Sequence, residues 1–164
     1  MKIKPALLDS LTEDDDPNRI ARGQGRWYQS LEQYRNSVIK DVENLLNTRQ
    51  ISLDAVEKNS ILHQSLFAYG VKDLTCFAVN TPDGVQSLCL AIEQALSNNE
   101  PRMGDVTVKA DETNDIHKNP ARLKLLISAS LVMPEFQSEN FVIHADLDTQ
   151  TSRIDLTPFE ERNA

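Results

Sequence analysis

The 164-residue chain has the length of one ordinary globular domain, and 40% apolar against 26% charged residues suffice for a core and argue against wholesale disorder. Seventeen basic against twenty-five acidic residues leave a net charge of −8, which argues against nucleic acid or anionic lipid as partner. The apolar run 125–133 is broken by Ser128 and Ser130 and falls short of the ~20 residues of a membrane span.

Residues 1–29 read as an extended arm, and 30–164 as a single domain. In the arm, Leu7, Leu8 and Leu11 either fold back on the chain's own core or dock on a partner, and Glu13 to Asp16 form a solvated spacer. The N-terminus has no apolar stretch of leader length, so a cytoplasmic location is expected. From Leu31, the spacing of Tyr34, Val38, Ile39, Val42, Leu45 and Leu46 predicts a helix that ends between Asn47 and Gln50, with Arg49 at its carbonyl end. A second helical pattern through Ile61, Leu62, Leu66 and Phe67 stops at Gly70.

The third helix is capped by Thr81, opened by Pro82, and lined by Val85, Leu88, Cys89, Ile92, Ala95 and Leu96. Pro101 disfavours helical geometry at Glu100 and enforces the exit. The period then changes to two. Val106 to Ala110 and Leu123 to Leu131 read as strands, and Phe141 to Leu147, a turn over 148–152, and Ile154 with Leu156 read as a hairpin. Polar loops are expected over 112–120 and 134–140. Helices first and strands second predict an α+β fold, with N-terminal helices packed on a mostly antiparallel sheet from the C-terminal half.

The residues offer little chemistry. No nucleophile elbow occurs, and His63, His117 and His144 share no ligand spacing with each other or with Cys76 and Cys89, so neither a metal nor a cofactor is expected. The cysteines fit no disulfide framework. His144 is expected to face solvent on its strand. Gly23 and Gly25 follow no strand and lack the third glycine of a phosphate cradle. Glu43 and Glu100 could be nominated as a glycosidase pair, but helix-surface charge and a turn contact are the simpler readings.

Four segments carry a resemblance. They are Pro5 to Leu11; Val38, Asp41 and Leu45 to Arg49; Ser65, Tyr69, Gly70, Asp73 and Leu74; and Glu100, Pro101 and Arg102. In order and spacing the chain resembles the TssE family of type VI secretion baseplate subunits, related to a wedge subunit of contractile-tailed phage baseplates. It departs from the family pattern at Val71, Lys72 and Met103, where Leu, Pro and Leu are usual.

The resemblance implies a structural wedge component, not an enzyme, that links the wedge core bundle to the first ring of the contractile sheath and helps start sheath assembly. It implies a fold like the domain through which sheath subunits exchange strands. Implied partners are the wedge subunits TssF, TssG and TssK and the sheath proteins TssB and TssC, with the baseplate docked at the cytoplasmic side of the inner membrane. It also implies that Glu100, Pro101 and Arg102 contact the core bundle. An open sheet edge suits strand addition, and the hairpin residues Phe141, Ile143, Ile154 and Leu156 are the first choice for a sheath-binding edge. On residue chemistry alone, Glu100 and Arg102 equally suit an internal salt bridge at the helix end. The alternative function is a peptidoglycan-cleaving, lysozyme-like enzyme, a label the phage relatives have also carried.

Overall fold

A computed structural model describes residues 30–51, 61, 65–111, 121–133 and 138–158. The arm expected over 1–29, the loop 112–120, and His63 and His117 lie outside the described residues. The chain divides into two compact units, Met1–Asp41 and Val42–Ala164. The described part of the first is the opening of helix α1, Leu31–Asn47. Ser30 caps it, its Oγ accepting from the Gln33 N–H at 3.2 Å, and Tyr34, Ser37, Val38 and Ile39 are buried.

The second unit holds the end of α1, helix α2 and the sheet. Helix α2 (Pro82–Asn99) starts where Thr81 Oγ1 accepts the Gly84 N–H at 3.1 Å and Pro82 supplies a pre-set first turn. A Cβ at Gly84 would collide with the Ala78 carbonyl, so glycine lets this first turn close on the preceding loop. All six apolar residues predicted for its stripe are buried. The helix stops at Glu100, whose N–H still reaches the Leu96 carbonyl at 2.9 Å.

Four strands follow: β1 (Met103–Ala110), β2 (Arg122–Leu131), β3 (Glu139–Asp148) and β4 (Arg153–Pro158). They form an antiparallel meander in the order β1-β2-β3-β4. Period-two burial puts Leu123, Leu125, Ile127, Ala129 and Leu131 of β2 on the core face with Phe141, Ile143, Ala145 and Leu147 of β3. Helix α2 packs against β1. The expected α+β arrangement is present, and no helix among the described residues is long and apolar enough to cross a membrane.

Three expectations change. Where the second helical pattern falls on described residues beyond Ser65, it forms a 3-10 turn at Leu66–Ala68 with Leu66 and Phe67 exposed, because Ser65 caps a turn that closes at Tyr69; Leu62 lies outside the described residues. The loop expected over 134–140 is shorter, since Glu139 and Asn140 pair with Leu131 and Ser130 as the start of β3. Strand β1 begins at Met103 and carries a bulge between Gly104 and Thr107, where Asp105 takes φ 50°.

Gly70 does take a left-handed conformation, φ 104°, although not as the cap of an α-helix. There the chain passes so close to α1's exit that a Cβ would lie 2.5 Å from the Thr48 carbonyl oxygen. Val71 and Thr48 to Gln50 then pair as a short parallel bridge, with Val71 N–H to Thr48 O at 3.0 Å and Gln50 N–H to Val71 O at 2.9 Å.

The β3–β4 turn is held by Asp148, whose Oδ1 accepts from Gln150 N–H at 2.8 Å and Thr151 N–H at 3.1 Å. These donors, Thr151 first, hold its carboxyl below the usual carboxylate range. Asp73 is lowered likewise by the Thr75 N–H it accepts. A carboxyl whose pKa is lowered by folding stabilises the fold above its unfolded value, about 3.9, and loses that contribution as the pH falls through the folded value.

Gly70→Ala is expected to destabilise the chain by at least about 1 kcal/mol in urea unfolding, since strain and the Thr48 contact act together; an unchanged midpoint would contradict the crowding. Carbon-detected NMR titration should place the Asp148 and Asp73 carboxyl midpoints below that of an unstructured aspartate, and midpoints at or above it would remove these turns as a source of acid sensitivity.

Candidate interaction surfaces

The corner after α2 is one feature with concentrated charge chemistry. Glu100 is buried, 6% exposed, and its carboxylate is held in a fork by Arg102. Nε donates to Oε1 at 2.7 Å and Nη2 to Oε2 at 2.6 Å, while the Arg102 backbone N–H adds a third bond to Oε1 at 3.1 Å. A bidentate guanidinium–carboxylate pair suits this partly desolvated position, because each carboxylate oxygen keeps a donor. The corner is anchored on both sides. The Glu100 carbonyl accepts the Met103 N–H at 3.1 Å, and the Arg102 carbonyl accepts the Val132 N–H at 2.8 Å. Pro101 stands exposed at the apex. The three residues predicted as a unit are thus brought together, with the ion pair internal to the chain.

The second feature is the pair of sheet edges. Phe141 and Ile143 belong to β3, which is paired on both sides, and their side chains are buried in the core. Phe141 pairs with Ala129, and Ile143 with Ile127 and Pro158, so neither lies on an outer strand. Ile154 and Leu156 lie on β4, an outer strand. Ile154 is fully buried, and both its backbone groups are taken by the Asn47 side chain: its N–H donates to Oδ1 at 3.0 Å and its carbonyl accepts from Nδ2 at 2.7 Å. Asn47 Nδ2 also donates to the Glu43 carbonyl of its own helix at 2.9 Å. Beside it, Arg49 donates through Nη1 to the Leu46 carbonyl at 3.0 Å and through Nη2 to the Ser152 carbonyl. The predicted helix-end role of Arg49 is therefore present, with a second task at the β3–β4 turn.

At the opposite edge, the outward N–H of Val108 on β1 donates to Glu93 Oε2 of α2 at 3.3 Å. Glu93 lies one turn after Cys89, whose buried thiol is pushed up in pKa, first by desolvation and then by the Glu93 charge, so it stays protonated near neutrality. Between α2 and the end of β1 lies an open apolar cleft of 510 Å³, walled by Pro82, Val85, Leu90 and Leu123 with Lys109 at its lip.

No group of three or more metal-ligating side chains occurs among the described residues. His144 was expected to face solvent; it is half-buried on the outer face, flanked in register by Leu126 and Thr157. Of the nominated carboxylates, Glu100 is spent on Arg102, and Glu43 is a half-exposed residue of α1.

Two residues escaped the sequence reading. Glu93 stands beside the apolar stripe of α2 at i+4 from Cys89, a position that marks it as near the sheet without naming its acceptor role. Asn47 looked like a helix stop. A residue 107 positions away supplies its partner, and no local pattern reports that.

Residues 32–135 match the model of the family described as baseplate wedge protein gp25. The stretch runs from α1 to just beyond β2, so the β3–β4 hairpin lies outside it. Among solved structures, a chain of the baseplate complex from the type VI secretion system superposes with a TM-score of 0.50 at 19% sequence identity, covering 72% of this chain and 97% of that one. At that identity the likeness speaks for the fold. No curated protein sequence matches.

Arg102→Ala leaves a buried carboxylate without its counter-charge, so it is expected to cost about 3 to 5 kcal/mol in urea unfolding. The double variant Glu100→Gln/Arg102→Met removes both charges and should lose clearly less; equal losses would show that the pair is not coupled.

Proposed function

We propose, from the premise that this chain belongs to the baseplate wedge protein gp25 family, that it is a non-catalytic wedge component of a type VI secretion baseplate. The observation that carries the reading is the family match over 32–135, which takes in both helices and the first two strands. In this reading the chain sits in the cytoplasm beside the wedge subunits TssF, TssG and TssK, and the first sheath ring of TssB and TssC starts from it.

The Glu100–Pro101–Arg102 corner is the proposed contact with the core bundle. Support comes from its build: an exposed proline apex on a corner fixed by the internal ion pair and by backbone bonds at both ends. A pre-shaped corner loses little conformational entropy when a partner docks. For the sheath, β4 is the proposed edge and Leu156 its available residue, whereas Phe141 and Ile143 act by packing behind it. An extended segment of a sheath subunit would add to that edge through backbone hydrogen bonds.

Co-expression with the two core-bundle subunits, TssF and TssG, followed by mass measurement of the purified complex, tests the reading. The wild-type chain should co-purify in a defined complex, and the folded variant Glu100→Gln/Arg102→Met, which loses the fork that pre-shapes the corner, should lose at least about tenfold in affinity. A wild-type chain that stays monomeric beside both subunits would overturn the wedge assignment; unchanged assembly by the variant would overturn the role of the corner.

A further inference from the structure

We propose that Asn47 is a gate on the β4 edge: its amide stands where a neighbouring strand would stand at Ile154 and keeps a second copy of this chain from pairing there. A strand's peptide unit presents one donor and one acceptor to the residue opposite. Asn47 presents the same two groups, Nδ2 to the Ile154 carbonyl at 2.7 Å and Oδ1 to the Ile154 N–H at 3.0 Å. The amide is itself steadied by the Glu43 carbonyl, and Arg49 closes the Ser152 carbonyl just before it.

Alternation along the strand turns the N–H and carbonyl of Leu156 to the same outer side as those of Ile154, and Pro158, two further on, has no N–H to give. With Asn47 in place, a second β4 running antiparallel finds only Leu156 with both groups available among the outward-facing residues Ile154, Leu156 and Pro158. With Asn47 gone, Ile154 and Leu156 of one copy can face Leu156 and Ile154 of the other, and every one of those donors and acceptors finds a mate. The opposite edge is closed in a similar way where Glu93 takes the Val108 N–H. Unpaired edges template self-association, and side chains that occupy the backbone groups remove the template. The gate stands apart from the wedge reading, since it concerns copies of this chain.

The test uses the full-length chain, with Asn47→Ala compared against Leu96→Val, a core change in α2 that lowers stability and leaves the Asn47–Ile154 hydrogen bonds in place. Sedimentation over a range of concentrations should show self-association of Asn47→Ala at least about tenfold stronger than that of Leu96→Val. At dilutions where Asn47→Ala sediments as a monomer, amide exchange at Ile154 should be at least about tenfold faster than in wild type, with Leu125 in the middle of the sheet unchanged. Should Asn47→Ala not fold, Asn47→Asp, which keeps an acceptor for the N–H and loses the donor for the carbonyl, should associate more strongly than wild type. A folded Asn47→Ala that associates no more than Leu96→Val, an Ile154 amide that keeps its protection in monomeric Asn47→Ala, or an Asn47→Asp chain indistinguishable from wild type would each overturn the gate.

Discussion

The side chain of Asn47 joins the last turn of α1 to the outer strand of the sheet, through both backbone groups of a fully buried Ile154. A buried N–H and carbonyl without partners cost about 1 to 3 kcal/mol each, so the fully buried Ile154 on an outer strand needs partners at its edge. Arg49 continues the seam at Ser152 and also lowers the Asp73 carboxyl by its charge. The backbone of the same segment bridges to Val71 beyond Gly70. Four adjacent residues, Asn47 to Gln50, therefore fix where α1 ends, where the 70–73 segment lies and where β4 closes the sheet.

The two edges of the sheet are managed by the same means with different residues. At β4 an amide reproduces both halves of a peptide unit. At β1 a carboxylate takes the Val108 N–H, and the bulge before Thr107 twists the start of the strand away from a straight edge. The difference has a consequence. A carboxylate satisfies donors only, whereas the Asn47 amide closes Ile154 completely and leaves Leu156 as the next residue with both groups turned outward. In a member of the baseplate wedge protein gp25 family, the backbone groups left open decide which strands an edge can accept.

In the Glu100–Arg102 corner a charged motif is structural and still leaves an exposed apex. The fork orients Arg102, the proline fixes the bend, and bonds from Met103 and Val132 hold the backbone on either side. An internal salt bridge and a docking corner are compatible, because the pair holds the shape while the apex at Pro101 stays exposed.

The sequence by itself determined the elements whose cause is local. Thr81, Pro82 and the stripe Val85 to Leu96 specify α2 through capping, a pre-set first turn and 3.6-residue spacing, and period-two runs specify the strands. The exit at Glu100 and the left-handed Gly70 were legible for the same reason. At Leu66 and Phe67 the apolar spacing misled because it reports an available face and not its burial; here Ser65 and a tight turn prevailed, and both side chains stand in solvent. The Glu100–Arg102 pair was readable as one of two options, since its partners are two residues apart. Only the tertiary structure decided that Asn47 pairs with Ile154, that Glu93 closes β1, and that Phe141 and Ile143 sit on an interior strand while Leu156 sits at an edge. Strand order and side-chain-to-backbone bonds across a hundred residues depend on how the whole chain closes on itself, and that closure leaves no periodic trace in the residues that make it.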